Sequence, residues 1–179
     1  MRIRPYRGIL PTLGERAWID ESARVIGDVV LGEDVSAWPF TVIRGDVNFI
    51  RIGDRTNIQD GTVVHVSHDG PHAKLGGFAT RIGSDVTIGH KAIIHACTIE
   101  DAVLVGMGAI VLDGAVVKKH AFIGAGALVA PGKIVGEGEL WLGNPAKKAR
   151  MLSDAEIDAL YYSAKHYVRL KDEYLSAAL

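Results

Sequence analysis

Five of the seven histidines in this chain fall between positions 65 and 95: His65, His68, His72, His90 and His95. Imidazole binds divalent transition metals through a neutral ring nitrogen, and it gains or loses a proton close to neutral pH. Such a cluster is equipped to hold an ion, to relay protons, or both. Just upstream lie Arg44-Gly45-Asp46 and Asn57-Ile58-Gln59-Asp60-Gly61. Carboxylates, amides and a guanidinium are the groups that orient metal ligands and water from a second layer. No other stretch of the sequence gathers so many candidate ligands and partners.

Which of these residues can meet depends on the scaffold, and the scaffold is a repeat. From Ile99 the chain reads in sixes: IEDAVL, VGMGAI, VLDGAV, VKKHAF, IGAGAL, VAPGKI, VGEGEL. The first position is always aliphatic. The fifth runs Val103, Ala109, Ala115, Ala121 and Ala127 before the pattern decays at Lys133 and Glu139. The same register gives IGSDVT from Ile82, IGHKAI from Ile88 and a shortened IHACT from Ile94. Earlier it gives IGDRTN from Ile52, IQDGTV from Ile58 and VHVSHD from Val64. A period of six matches neither an amphipathic helix nor an alternating strand. It predicts a chain that turns a corner every six residues, with the aliphatic residue inward and Gly, Asp or Asn at the corners. Three hexads make one coil, and coils stack by parallel pairing at ~4.8 Å. The expected fold is all-β, a left-handed parallel β-helix of about seven coils.

Two interruptions stand out. The phase slips by three around Phe49-Ile50-Arg51, and Gly70 to Arg81 (GPHAKLGGFATR) fits no hexad. The latter reads as an inserted surface loop, the kind of segment that is often functional. The repeat stops at the breaker cluster Trp141-Leu142-Gly143-Asn144-Pro145. Ser153-Asp154-Ala155-Glu156 then has the form of a capping box. Behind it Ile157, Leu160, Tyr161, Ala164, Tyr167, Val168, Tyr174 and Leu175 recur at helical spacing. The expected organisation is a rod over 1–150 and a helix over 151–179 packed on its flank.

The register sorts the histidines. His65 and His95 are each the second residue of a hexad, and with the insertion looped out three hexads separate them. Three hexads are one full coil, so the two imidazoles should stack on one face and converge on one ion. Zn–N bonds are about 2.0–2.1 Å. His90 is the third residue of its hexad and belongs to a different face. It can reach the same ion only from a neighbouring rod. A three-histidine site on this scaffold therefore predicts a homotrimer, with His65 and His95 from one chain and His90 from the next. Three protein ligands leave a position for water, the arrangement of catalytic zinc.

Composition narrows the field. The formal net charge is −1 and no apolar run approaches the length of a membrane span. Neither nucleic acid nor a membrane is an expected partner. The N-terminus does not read as a signal peptide. The single cysteine, Cys97, excludes an internal disulfide, reads as a small core residue, and fits a reducing, cytoplasmic setting.

Arg44-Gly45-Asp46, Asn57-Ile58-Gln59-Asp60-Gly61, His65 and His90-Lys91-Ala92-Ile93-Ile94-His95 together resemble the gamma-class carbonic anhydrases, above all the short bacterial members. The resemblance covers nearly the whole chain. It implies a homotrimer with Zn²⁺, or Fe²⁺ or Co²⁺, at each interface and CO₂/bicarbonate as substrate. It implies that Gln59 bonds the reactive water, that Arg44 and Asp46 form an interfacial pair, that Asn57 lines the site and that Asp60 is an interface-side acid. Tyr162 is a looser match. The implied chemistry is attack on CO₂ by hydroxide generated on the metal, with an apolar wall near Val64 or Phe78 to hold the substrate. The chain departs from the family's archaeal pattern where carboxylates shuttle protons: Val47 and His68 stand at those places. His68 or His72 is the candidate replacement, and slow turnover is an expected consequence. The competing readings are a non-catalytic or weakly active metal-binding trimer, and a hexapeptide-repeat acyltransferase or thioesterase.

Overall fold

In a computed structural model of the chain, which describes residues 1–71 and 75–177, the six-residue period becomes short strands stacked in parallel on three faces. The first face carries Val63–His65, Ile93–His95, Ile110–Val111 and Leu128–Val129. The second carries Thr80–Ile82, Thr98–Ile99, Val116–Val117 and Ile134–Val135. The third has seven parallel rungs, from Trp18–Ile19 through Asn57–Ile58 and Thr87–Ile88 to Glu139–Leu142. The antiparallel strand Lys147–Met151 closes that face. The phase slip has a physical form: Arg24–Leu31 and Val42–Ile52 each run across two faces without a break. Val42–Ile52 pairs with Val63–His65 at one end and with Thr80–Ile82 at the other.

The first residue of each hexad points inward and stacks on its counterpart one coil away. The inward column of the first face is Val25, Ile43, Val64, Ile94, Val111 and Val129. All six are essentially solvent-free. Each such side chain contributes about 1.5–3 kcal/mol through burial, so the register is fixed wherever the columns continue. A slip by one residue would turn each column out to water.

The corners are less choosy than their composition implies. One column of left-handed residues runs Arg16, Asp34, Arg55, Asp85, Ala102 and His120, all at φ between 50° and 61°. Only Asp34 and Asp85 are of the expected corner types. The left-handed angle is imposed by hydrogen bonds between coils, such as Asp85 N–H to Asp54 O and Ala102 N–H to Ser84 O. In this column Arg16 pairs with Asp34 and Arg55 with Asp85.

The insertion is shorter than its sequence indicates. Thr80 is fully buried, and Arg81 already pairs with Arg51 and Thr98 in the rod. A bridge between Ser67 and Phe78 closes the neck of the loop, and the Asn48 side-chain amide donates to the carbonyls of Ser67 and Gly76. His72 lies outside the described residues.

The helix Asp154–Ala177 begins at the capping box: Ser153 N–H donates to Glu156 Oε2 at 2.9 Å, and Glu156 N–H to Ser153 Oγ at 3.4 Å. It runs back along the third face towards the N-terminal coils. Tyr161 meets His120, Tyr167 packs on Trp38, and Tyr174 on Trp18. The largest fully buried side chain of its inner face is unexpected. Lys171 has no exposed side-chain surface, and its ammonium contacts Asp34 at 2.6 Å, Asp172 at 2.8 Å and the Arg16 carbonyl at 3.2 Å.

Candidate metal centre

The backbone pairs His65 directly with His95, one coil apart. Three hydrogen bonds hold the two strand ends together. Ala96 N–H donates to His65 O at 3.0 Å, the Thr80 hydroxyl donates to the same carbonyl at 2.5 Å, and the Thr80 oxygen accepts from Ala96 N–H at 3.0 Å. Thr80, where the insertion re-enters the rod, thus clamps the pair.

The imidazoles face each other with His65 Nδ1 and His95 Nε2 3.2 Å apart. Two nitrogens bound to a tetrahedral ion at 2.0–2.1 Å would be separated by about 3.3 Å. Each ring turns its other nitrogen to a carboxylate: His65 Nε2 lies 3.0 Å from Asp46 Oδ1, and His95 Nδ1 lies 2.6 Å from Asp113 Oδ1. Ionised carboxylates only accept, so both of those nitrogens carry the proton. Burial pushes His65 below its ordinary pKa, reinforced by Arg44 and His95 and only partly opposed by Asp46. With those nitrogens turned to the carboxylates, His65 Nδ1 and His95 Nε2 are the ring atoms left facing each other. In their neutral, metal-binding form both atoms offer a lone pair to an ion placed between them. The donor set therefore fits a divalent metal, with each ligand oriented by a second-layer carboxylate.

Asp46 also bonds Arg44 within the same chain. Burial alone would raise the Asp46 carboxyl, but the bonds from His65 and Arg44 outweigh it and leave it below the usual range.

His90 sits at the corner between the third and first faces, and its Nδ1 donates to Asp60 Oδ2 at 2.8 Å. That leaves Nε2 to ligate. His90 does not join the other two within one chain. Among the described residues, no group of three or more His, Cys, Asp or Glu is placed to hold an ion.

Gln59 and Asn57, both buried, belong to a polar chain that begins on the helix. Ser163 Oγ and Thr87 Oγ1 are 3.0 Å apart. Asn57 Nδ2 donates to Thr87 Oγ1 at 3.0 Å, and Gln59 Nε2 donates to Asn57 Oδ1 at 3.0 Å. With its amide nitrogen committed, Gln59 has its carbonyl oxygen left to accept. Gln59, His90 and Ser163 line one cavity of about 350 Å³, with Leu104, Met107 and Phe122 as its apolar wall.

The remaining expected positions are placed as follows. Val64 is fully buried in the rod and cannot form a wall at the site; the outward residue beside it is Val63. Phe78 lies against Gly114. Tyr162 is largely exposed on the helix, stacked with His166 and beneath Arg169, and Ser163 is the helix residue that reaches the cavity. His68 is exposed, next to the Ser67–Phe78 bridge at the neck of the insertion. Cys97 is buried, and burial pushes its thiol up to about 12. Sequence reading missed Thr80, Asp113 and Ser163. Asp113 follows His95 by 18 residues, one coil, and that spacing was the available signal.

A parallel β-helix carrying a carboxylate-backed histidine pair defines a class, and comparison with known proteins gives the family. No family model matches the chain. It is 54% identical to protein YrdA of Escherichia coli over 97% of this chain and 94% of that protein. It is 43% identical to a carbonic anhydrase of Geobacillus kaustophilus over 98% and 91%. It is 48% identical to the mitochondrial gamma carbonic anhydrase 2 of Arabidopsis thaliana over 89% of this chain and 57% of that one. Among solved structures, a hexapeptide transferase family protein from Anaplasma phagocytophilum superposes with a TM-score of 0.88 at 46% identity, over 96% and 97% of the two chains. The chain belongs to the gamma carbonic anhydrase family.

Proposed function

We propose that this protein is a metal-dependent carbonic anhydrase, a lyase that hydrates CO₂ to bicarbonate at sites shared between the subunits of a homotrimer. The observation that carries this reading is the pair of facing nitrogens at 3.2 Å, each on a ring fixed by a carboxylate. His65 and His95 would hold the ion from one chain and His90 from the next. Zn²⁺ is the ion assigned, and Fe²⁺ and Co²⁺ suit the same donors. A bound ion supplies the Lewis acidity that brings the pKa of a water towards about 7.

The exposed surface supports the shared site. The outward ladder beside the histidine pair is Val42, Val63, Ile93, Ile110 and Leu128, and Val63 and Ile93 are 40% exposed. Along the adjoining corner Met107, 59% exposed, follows His90 by one coil, and Phe40, 72% exposed, precedes it by two. An apolar stripe of this kind, rimmed by polar groups, is the mark of an interface. A neighbouring rod laid on it brings a His90 corner to a His65–His95 face.

In this reading Gln59 accepts a hydrogen bond from the reacting water through its carbonyl oxygen. Asn57, Thr87 and Ser163 fix its orientation. Arg44 holds Asp46 as a carboxylate, which keeps the proton of His65 on Nε2. His68 is the candidate for carrying the released proton to solvent. His68→Ala should lower turnover in weak buffer and recover in concentrated imidazole; a buffer-independent rate would dismiss that role. The lone buried cysteine fits a cytoplasmic location, and among the described residues no helix is long and apolar enough to cross a membrane.

Acyl transfer is the second reading, supported by the apolar cavity beside His90; the Anaplasma structure is named a transferase without naming the group transferred. Metal analysis followed by stopped-flow CO₂ hydration separates the possibilities. Carbonic anhydrase requires bound metal and hydration together. Metal without hydration supports a non-catalytic binding trimer, and protein that takes up no metal supports acyl transfer.

A further inference from the structure

We infer that Asp113 is a positioning residue for the metal site: it holds His95 in the tautomer and ring orientation that present Nε2 to the ion. The inference rests on the proposed function, since it concerns the same site. The contact is short and directional, His95 Nδ1 to Asp113 Oδ1 at 2.6 Å. An imidazole on a strand end can otherwise rotate or exchange tautomers, and either change would replace the Nε2 lone pair with N–H or C–H. A carboxylate at Nδ1 removes both alternatives, because it only accepts.

The turn that carries Asp113 is itself fixed on three sides. Gly114 N–H donates to the carbonyl of Ala96, the residue after His95, at 2.8 Å. The Asp113 carbonyl accepts from Gly132 N–H of the next coil at 2.9 Å. Gly114 has φ of +69°, and a Cβ there would stand 3.1 Å from the Phe78 ring, so the insertion is seated directly on this turn. The carboxylate is therefore delivered by a rigid corner. Its partner is addressed through the rod, one coil away.

Asp113 completes a pattern. Asp46 backs His65, Asp60 backs His90 and Asp113 backs His95. Of the three, Asp113 is about one-third exposed on its side chain. A purely structural ion pair at that exposure would contribute little to stability. Its value lies in orientation.

The test measures metal binding and geometry. Wild type, Asp113→Ala and the near-isosteric Asp113→Asn are stripped of metal and titrated with Co²⁺ against a chromophoric chelator. The visible spectrum of each Co²⁺ form and the melting curve of each metal-free form are recorded. Asp113→Ala should bind Co²⁺ about 10- to 100-fold more weakly, with an altered visible spectrum and a metal-free melting curve like that of wild type. Asp113→Asn, whose amide oxygen can still accept from Nδ1–H, should recover part of the loss. Equal affinities and identical spectra in all three proteins would overturn the role of Asp113 while leaving the metal site standing. A wild-type protein that takes up no Co²⁺ would overturn the site and the role together. If Asp113→Ala does not fold, Asp113→Asn alone decides: weaker binding supports the role, and wild-type affinity with an unchanged spectrum refutes it.

Discussion

A mixing experiment tests the shared site quantitatively. His90→Ala leaves the His65–His95 pair intact, and His95→Ala leaves His90 intact, because the structure places them on different sides of the rod. Alone, each homotrimer has every site damaged. Now let equal amounts exchange subunits at random. A site is complete only where the pair comes from a His90→Ala chain and the adjoining His90 comes from a His95→Ala chain. In a cyclic trimer each condition holds about half the time, so about one quarter of the sites are rebuilt. The assay is metal bound after dialysis against a chelator, with CO₂ hydration measured in parallel. Both should rise from near nothing to about one quarter of wild type. No recovery, once tagged chains show that exchange has occurred, would refute the shared arrangement. So would either variant alone keeping its full complement of metal.

The helix anchor makes an asymmetric prediction. Asp34→Asn leaves the buried Lys171 ammonium without its shortest ionic contact and should cost about 3 kcal/mol, read as a lower urea midpoint. Lys171→Met removes the charge instead and should stay within about 1 kcal/mol of wild type, since Asp34 keeps Arg16; equal losses in the two variants would contradict this account. Burial tends to raise the Asp34 carboxyl, yet Lys171 and Arg16 hold it below the usual range. Its contribution is therefore fully present above the unfolded carboxylate pKa of about 3.9, and it is lost as pH falls through the lower folded value. Acid titration of wild type should show this step, and Asp34→Asn should not. Ile93→Asp puts a charge in the middle of the apolar stripe without touching the inward column, so it should yield folded subunits that no longer associate. Light scattering together with metal analysis checks this, and a trimer retaining metal would remove the stripe from the interface.

Much of the site is legible in the hexads. The stacking of His65 on His95 follows from counting in sixes with the insertion removed, and the observed register agrees. The separation of His90 onto another side follows from the same count. The capping box at Ser153 and Glu156 reads directly from local chemistry. The misreadings share a cause. Thr80 and Arg81 look like loop because glycines precede them, and only their pairing with neighbouring coils shows that they belong to the rod. Lys171 looks like a solvated helix residue until Asp34 and the Arg16 carbonyl, on the first coils, are seen to surround it.

The sequence by itself determined the repeat, the inward columns and which histidines share a face. All of these depend on a period that each hexad restates locally, and burial enforces it at every turn. Tertiary structure decided what each histidine does with its second nitrogen. Asp46, Asp60 and Asp113 reach their partners from 19, 30 and 18 residues away. An aspartate at a corner has the same local character whether it faces water or an imidazole. The stacking of one coil on the next makes the difference, since it fixes the side chains it brings together across strands only ~4.8 Å apart.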